Sequence, residues 1–233
     1  MFVLLLLFCG CVHRGIPLPG STKFVGKDIR MHWQEYTVLE EEKLQKPPQK
    51  KTKTIEPTTA IQQKIVQAAR SLLGAKSLYV QEQSFRYDCS GFVAAVYAKA
   101  GIAMNKGGSD FLLAASHKYN VYSAESIANI GDVVFFDNTY DRNKNGKRDD
   151  GVTHVGIVET IDATGLISII HLGHTGIVRI YMNLLDANSH TGPDGQLWNS
   201  YVRVNKKNDT GPNLTGQLWS GFASFWKLPP NTF

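Results

Sequence analysis

The chain has little cysteine. Cys9, Cys11 and Cys89 are its three cysteines among 233 residues, and the first two sit at the extreme N-terminus. The body therefore holds one cysteine and no disulfide of its own, which excludes a disulfide-stapled scaffold and leaves stability to a hydrophobic core. Long apolar runs are scarce too. Met1–Gly10 is apolar and uncharged, yet too short to span a bilayer as a helix. Charged residues make up 19% against 42% hydrophobic, a balance that excludes wholesale disorder. The net charge of +5 is concentrated in Lys43–Lys53, Lys144–Arg148 and Lys206-Lys207. No basic stripe interleaved with aromatics is present, so the sequence offers no nucleic-acid footprint. A mildly basic surface suits an anionic polymer.

What is present divides into three parts. Met1–Gly10 resembles the apolar region of a secretory signal. Phe8-Cys9-Gly10-Cys11 looks like a bacterial lipoprotein processing site with Cys11 as the modified cysteine, so residues 1–11 are expected to direct the chain to the bacterial cell envelope, facing the periplasm. Acyl chains on Cys11 would hold it at a membrane surface rather than across it. Residues 12–58 carry Pro17, Pro19, Pro47, Pro48 and Pro57 and the polar run Lys43–Thr54. That composition buries too little apolar surface to offset ordering entropy and reads as a stalk or linker. The folded domain is expected over 59–228.

Its elements follow from periodicity. Thr59-Ala60-Ile61-Gln62 fits a capping box, and Ile61, Ile65, Ala68 and Leu72 recur at helical spacing before Gly74. A loop over Ala75–Tyr87 leads to a second helix with an apolar stripe of Phe92, Val93, Val96, Tyr97 and Ala100, ended by Gly101. A short third helix starts at Ser109. Four β-branched runs come next: Val133–Phe136, Val155–Thr160, Leu166–Leu172 and Ile177–Tyr181. Helices first and strands afterwards predict an α+β fold, with helices packed on an antiparallel sheet. A short echo, Gly195-Gln196-Leu197-Trp198 and Gly216-Gln217-Leu218-Trp219, predicts two similar turn-plus-strand pieces, the last closing the sheet over Gln217–Phe225.

The chemistry centres on Tyr87-Asp88-Cys89-Ser90-Gly91-Phe92. Asp88 is a good N-cap, which places Cys89 in the first turn of a helix. Unpaired N–H groups and a partial positive charge there favour a thiolate, so Cys89 is a candidate nucleophile. It needs a base, usually histidine, and a group to orient that base. The body offers His117, His154, His171, His174 and His190. If the turn after Val155–Thr160 centres between Ala163 and Thr164, His154 faces Gly173. His171 then shares its face as a diagonal neighbour, within reach of a side-chain contact, and His174 points the other way. A slip of one residue would reverse this choice.

These motifs resemble those of the NlpC-type cell-wall cysteine peptidases. Tyr87–Phe92 is similar to the family's cysteine motif, Gly131-Asp132-Val133-Val134-Phe135-Phe136 to its Gly-Asp-Leu-Val-Phe-Phe strand, and Thr153-His154-Val155-Gly156-Ile157-Val158 to its histidine strand. Ile169-Ile170-His171 matches the position of its third catalytic residue. The resemblance implies a papain-like fold, with N-terminal helices carrying the cysteine on a sheet carrying the histidines. It implies Cys89 as nucleophile, His154 as base and His171 as its orienting partner. Tyr79 matches an upstream tyrosine that assists the oxyanion, with the Cys89 N–H as second donor and Asp88 and Ser90 beside the substrate. The family's Trp-Gly-Gly after that tyrosine is replaced here by Val80-Gln81-Glu82. The implied partner is a peptidoglycan stem peptide, cut between γ-D-glutamyl and a diamino acid, with no cofactor required.

One stretch falls outside this pattern, the insertion at 137–151. Asp141, Asn143 and Asn145 place oxygen ligands at alternate positions and Gly146 follows, as in the first half of a Ca²⁺ loop. Val152 stands where an EF-hand has glutamate, and Asp149 or Asp150 would have to substitute. A bound Ca²⁺ and a polar hairpin tip both fit this pattern. Other readings of the whole chain are a related amidase or acyltransferase with the same Cys–His pair, and a non-catalytic envelope protein binding the wall or calcium.

Overall fold

Thr59 and Gln62 form the expected capping box. The Gln62 N–H donates to Thr59 Oγ1 at 3.3 Å and the Thr59 N–H to Gln62 Oε1 at 3.0 Å, satisfying orphan donors at a helix start. Helix α1 (Ala60–Ser71) follows. The computed structural model describes residues 54–57, 59–104, 106–206, 209–229 and 232, all within the unit 38–233. Met1–Gly10, Cys11, Lys207 and residues 12–53 of the linker lie outside the described residues. Strand β1 (Thr54–Ile55) pairs with Asp162 and Ile161, so the sheet begins ahead of Thr59. A strand of two residues carries no readable period.

The architecture is α+β, as expected. A seven-stranded sheet runs in the order β4 (Tyr122–Ser123), β9 (Trp219–Ala223), β5 (Val133–Asp137), β6 (Val152–Asp162), β7 (Leu166–Gly173), β8 (Gly176–Asn183), with β1 also on β6. Every pairing is antiparallel. Helices α2 (Cys89–Lys99) and α3 (Ser109–Lys118) complete the helical part. The larger core joins Ile65, Phe92, Val96 and Tyr97 from the helices to Val133, Phe135, Val155, Ile157 and Ile170 on one sheet face. The opposite face packs Val134, Phe136, Val158, Ile169 and Phe222.

Helix α2 departs from the single-stripe expectation. Every residue from Ser90 to Tyr97 is buried, because α1, the sheet and a hairpin surround it. A helix enclosed on all sides has no polar face to define a stripe. The Gly131-Asp132 step anchors this layer. Gly131 O accepts from Tyr97 Oη at 2.9 Å, Ile130 O accepts from Gln62 Nε2 at 2.8 Å, and Asp132 Oδ1 accepts from Ser224 Oγ and Trp226 Nε1, each at 2.7 Å. The final strand does not sit at an edge, for β9 lies between β4 and β5. The two echo segments also differ. Thr191 and Leu197 close a small bridge, whereas Thr215–Leu218 is one helical turn, α4, leading into β9. A few identical residues do not set conformation against different surroundings.

The loop before the cysteine contains a hairpin that periodicity does not reveal. Strands β2 (Leu78–Val80) and β3 (Gln83–Phe85) pair with Val80 opposite Gln83, leaving Gln81-Glu82 as a two-residue turn. Both have positive φ, 49° and 61°, the type I′ geometry that favours Asn-Gly. Residues bearing a Cβ are strained there. The double substitution Gln81→Asn with Glu82→Gly is expected to stabilise the fold by about 1 kcal/mol, read as a raised denaturation midpoint with an unchanged m-value.

Candidate active site

The helix start at Cys89 is built residue by residue. Asp88 has extended backbone and its Oδ1 accepts from the Gly91 N–H at 2.8 Å and from Ser90 Oγ at 3.0 Å. Arg86 pairs with Asp88 Oδ2, and its Nη2 donates to Ser90 Oγ at 3.0 Å. Tyr87 Oη donates to Ala75 O at 2.6 Å. A Cβ on Gly91 would lie 1.9 Å from Arg86 O, so only glycine lets the incoming loop fold back over the first turn. Asp88 and Ser90 are thus committed to holding the turn together. Cys89 is a free thiol.

The histidines come from β6 and β7, and their meeting depends on one residue. The β6–β7 turn has three loop residues, Ala163, Thr164 and Gly165. Gly165 has φ +81°, and Asp162 Oδ1 accepts from the N–H groups of Thr164 (2.8 Å) and Leu166 (3.0 Å). Next to the turn, Ile161 pairs with Ile167 and Thr160 with Ser168. Continued without interruption, that register would place His171 on the face opposite His154, because a slip of one residue moves side chains to the other face. Beyond Glu159 the pairs are Val158 with Ile169 and Ile157 with Ile170. Glu159 is the extra residue of a β-bulge. The turn centre therefore lies half a step from the expected place, and the bulge restores the expected outcome. His154 Nε2 and His171 Nδ1 are 2.6 Å apart, with the rings edge to face at 4.9 Å. Gly156 leaves room for this, since a Cβ there would lie 3.2 Å from His171 Cβ and 2.7 Å from Ile169 Cγ2.

Glu159 is fixed in turn. Its carboxylate is buried, 3% exposed, and accepts from Arg70 Nε (2.6 Å), Arg179 Nε (2.6 Å), Arg179 Nη2 (2.8 Å) and Ser168 Oγ (2.9 Å). Burial raises its pKa, but the arginine and serine bonds outweigh burial and hold it below the usual glutamate value. The bulge is thus tied to α1, β7 and β8 at once.

Cys89 and His154 line one cleft of 470 Å³, together with Arg86, Asp110, Arg142 and His174. The backbone N–H of Val155, next to His154 in β6, acts on the Cys89 thiol in the direction that favours its thiolate. His174 lies in the β7–β8 turn rather than in a strand, so strand alternation does not govern it, and it reaches the cleft. His117 lies against Tyr122, ring centroids 4.3 Å apart and tilted by 39°. His190 stacks on Tyr201 at 4.4 Å and bonds Asn199 O at 2.7 Å. Tyr79 stands on β2, 65% exposed, and is not among the residues lining the cleft. Its expected oxyanion role finds no contact there, while the Cys89 N–H, at the first helical position, remains in place as a donor.

Electrostatics depart from the expectation of a thiolate. Burial pushes the Cys89 thiol up, and Asp88 adds to this, against opposing bonds from the Val155, Ser90 and Cys89 N–H groups. Burial lowers His154 to about 4. His171 is held well below its ordinary value by burial and then by the neighbouring His154 and His174. Desolvation outweighs the helix start, so the resting pair is a neutral thiol and a neutral imidazole.

The insertion at 137–151 is internally bonded. Asp141 accepts from the Asn145 and Gly146 N–H groups at 3.1 and 2.9 Å. Asn143 and Asn145 donate side-chain amides to Asp149 at 3.2 and 3.0 Å. Asp150 accepts from the Arg142 and Asn143 N–H groups. Among the described residues no group of three or more His, Cys, Asp or Glu is placed to hold a metal ion. As expected of a loop that runs directly into the strand bearing His154, it lines the cleft, bringing Tyr140 and Arg142 to it.

A cysteine at a helix start thus shares a cleft with one member of a histidine pair carried by an antiparallel sheet. Residues 74–179, a stretch that contains Cys89, His154 and His171, match the model of the NlpC/P60 family. No curated protein matches the chain. Among solved structures, a Staphylococcus aureus subsp. aureus Mu50 protein described as similar to lipoprotein, NLP/P60 family, is 25% identical with a TM-score of 0.36. The match covers 67% of this chain and 46% of that one, so the chain spans under half that protein's length.

Two outcomes test this geometry. Glu159→Gln should destabilise the domain by roughly 2 kcal/mol, below the ~3–5 kcal/mol of a fully buried broken pair because Arg70 and Arg179 are partly exposed, as read by urea denaturation. His154 also links stability to pH. The unfolded imidazole takes up a proton near 6.5 and the folded one near 4. The unfolded state binds more protons between these values, so stability is full above 6.5 and falls as pH drops toward 4. Loss of the Glu159 contribution adds to this only below about 4.5. His154→Gln should flatten the upper part of that window in unfolding midpoints measured from pH 7 to 4.5.

Proposed function

We propose that this chain is a peptidoglycan hydrolase, a thiol-dependent endopeptidase acting on amide bonds of cell-wall stem peptides of the γ-D-glutamyl–diamino acid type. The observation that carries the reading is the 2.6 Å contact between His154 and His171 at a cleft that His154 shares with Cys89. In this reading Cys89 Sγ attacks the amide carbonyl while its proton passes to His154. The tetrahedral oxyanion is met by the Cys89 N–H. The C–N bond breaks as His154 returns the proton to the leaving amine, leaving a thioester. Water then attacks with His154 again as base, releasing the carboxylic acid and the thiol.

Because both groups rest neutral, proton transfer accompanies attack rather than preceding it. His171 fixes the tautomer in which His154 Nε2–H donates to His171 Nδ1 and His154 Nδ1 stays free to accept. The mildly basic chain suits an anionic wall polymer, and acylation at Cys11 would hold it at the envelope surface. An amidase or acyltransferase would use the same Cys89–His154 pair and differ in the acceptor.

The test is incubation of the reduced protein with a purified muropeptide, with products separated chromatographically. Wild type should release the diamino-acid fragment and Cys89→Ala none. His171→Ala should lower kcat by about 10²-fold or more, with little change in KM. Absence of product from wild type, or undiminished product from Cys89→Ala, would defeat the reading.

A further inference from the structure

The insertion at 137–151 holds the chain's single Asn-Gly step, Asn145-Gly146. Both residues are exposed, and the bonds around them centre on one atom, the side-chain carbonyl carbon of Asn145. The Gly146 N–H, next along the backbone, donates to Asp141 Oδ2 at 2.9 Å. Asn145 Oδ1 accepts from the Lys147 N–H at 2.8 Å. Asn145 Nδ2 donates to both carboxylate oxygens of Asp149, each at 3.0 Å. One carboxylate thus partners a nitrogen able to attack, an N–H group partners the oxygen of the amide it would attack, and a second carboxylate keeps that amide from turning. Gly146 has φ +79°, a conformation that favours glycine, and a glycine carries no side chain to shield its nitrogen.

We propose that Asn145 is a self-modification site, where the loop converts its own asparagine to aspartate or isoaspartate and so loosens the rim of the cleft. The Gly146 nitrogen attacks Asn145 Cγ while Asp141 takes its proton. The Lys147 N–H meets the charge that develops on Asn145 Oδ1, as an oxyanion donor does. The new N–C bond forms, the Cγ–Nδ2 bond breaks, and the leaving nitrogen takes a proton from solvent and departs as ammonia. Water then opens the cyclic imide at either carbonyl. The net change is one water consumed and one ammonia released, with no oxidant or reductant. Nucleophile and electrophile belong to adjacent residues, so no encounter entropy opposes the step. Asn143, exposed in the same loop, is followed by Lys144 instead of glycine. In the product both bonds from Asn145 Nδ2 to Asp149 are gone, and a new carboxylate faces Asp149 with like charge. The same loop brings Tyr140 and Arg142 to the cleft, so the change reaches its rim.

The test ages the full-length protein at neutral pH and follows each asparagine by peptide mass spectrometry, beside a synthetic peptide of residues 141–150 that carries the same step without the fold. Conversion is expected at Asn145 and not at Asn143, and about tenfold faster in the protein than in the peptide, a modest share of what positioned acid–base groups give in enclosed sites. Asp141→Asn should bring the protein down to the peptide's rate. Hydrogen exchange reads the loosening: the aged protein, and Asn145→Asp made directly, should lose protection over residues 138–151 while β5 and β6 keep theirs. Conversion no faster than in the peptide, or as fast in Asp141→Asn as in wild type, overturns the site. Unchanged exchange after conversion overturns its effect on the rim. None of these readouts requires catalysis at Cys89, so the hydrolase reading stands or falls separately.

Discussion

The site depends on a single extra residue in β6. Glu159 shifts the β6–β7 register by one between Thr160 and Val158. Side chains alternate along a strand, so that shift decides whether His171 shares a face with His154 or points away from it. A bulge leaves its extra residue unpaired in the ladder. Here the side chain of that residue is held by Arg70, Arg179 and Ser168. The ionic cluster is remote from the thiol in sequence, and its effect on the site passes entirely through register.

The helix-borne half follows a different logic. Asp88, Ser90, Gly91, Arg86 and Tyr87 each have a structural task in holding the first turn of α2, and together they leave Cys89 as the member without one. The same enclosure that positions the thiol also desolvates it and its histidine. Two neutral groups in a buried cleft store no ion pair, so the charge separation arises only when a substrate carbonyl is present to receive the electron pair. The fold supplies the geometry in advance, and the electrostatics come with the reaction.

Much of this was legible in the chain itself. The Thr59–Gln62 capping box, the Asp88 N-cap, the Cys89 helix and the four long strands follow from local rules that act over a few residues. Pairing of the histidines was legible in outcome but not in cause. A turn centred between Ala163 and Thr164 and a three-residue turn followed by a bulge give the same register at His154, and no local signal separates them. The thiolate expectation failed because it weighed the helix start without the burial that α1, the hairpin and the sheet impose. Tyr79 and the Gln81-Glu82 turn were opaque because the hairpin carries no glycine where its geometry favours one. The insertion read both as an ion loop and as a hairpin tip, and its place at the rim of the cleft was legible from its position immediately before His154 rather than from any periodic trace.

The most direct measurement is of the hydrogen bond between the two imidazoles. In protein labelled with ¹⁵N at histidine, a bond between His154 Nε2 and His171 Nδ1 at 2.6 Å transmits a scalar coupling between the two nitrogens. The account predicts that this coupling is present in the free protein at neutral pH, with both rings neutral. Two uncoupled histidines, or rings charged at neutral pH, would contradict it.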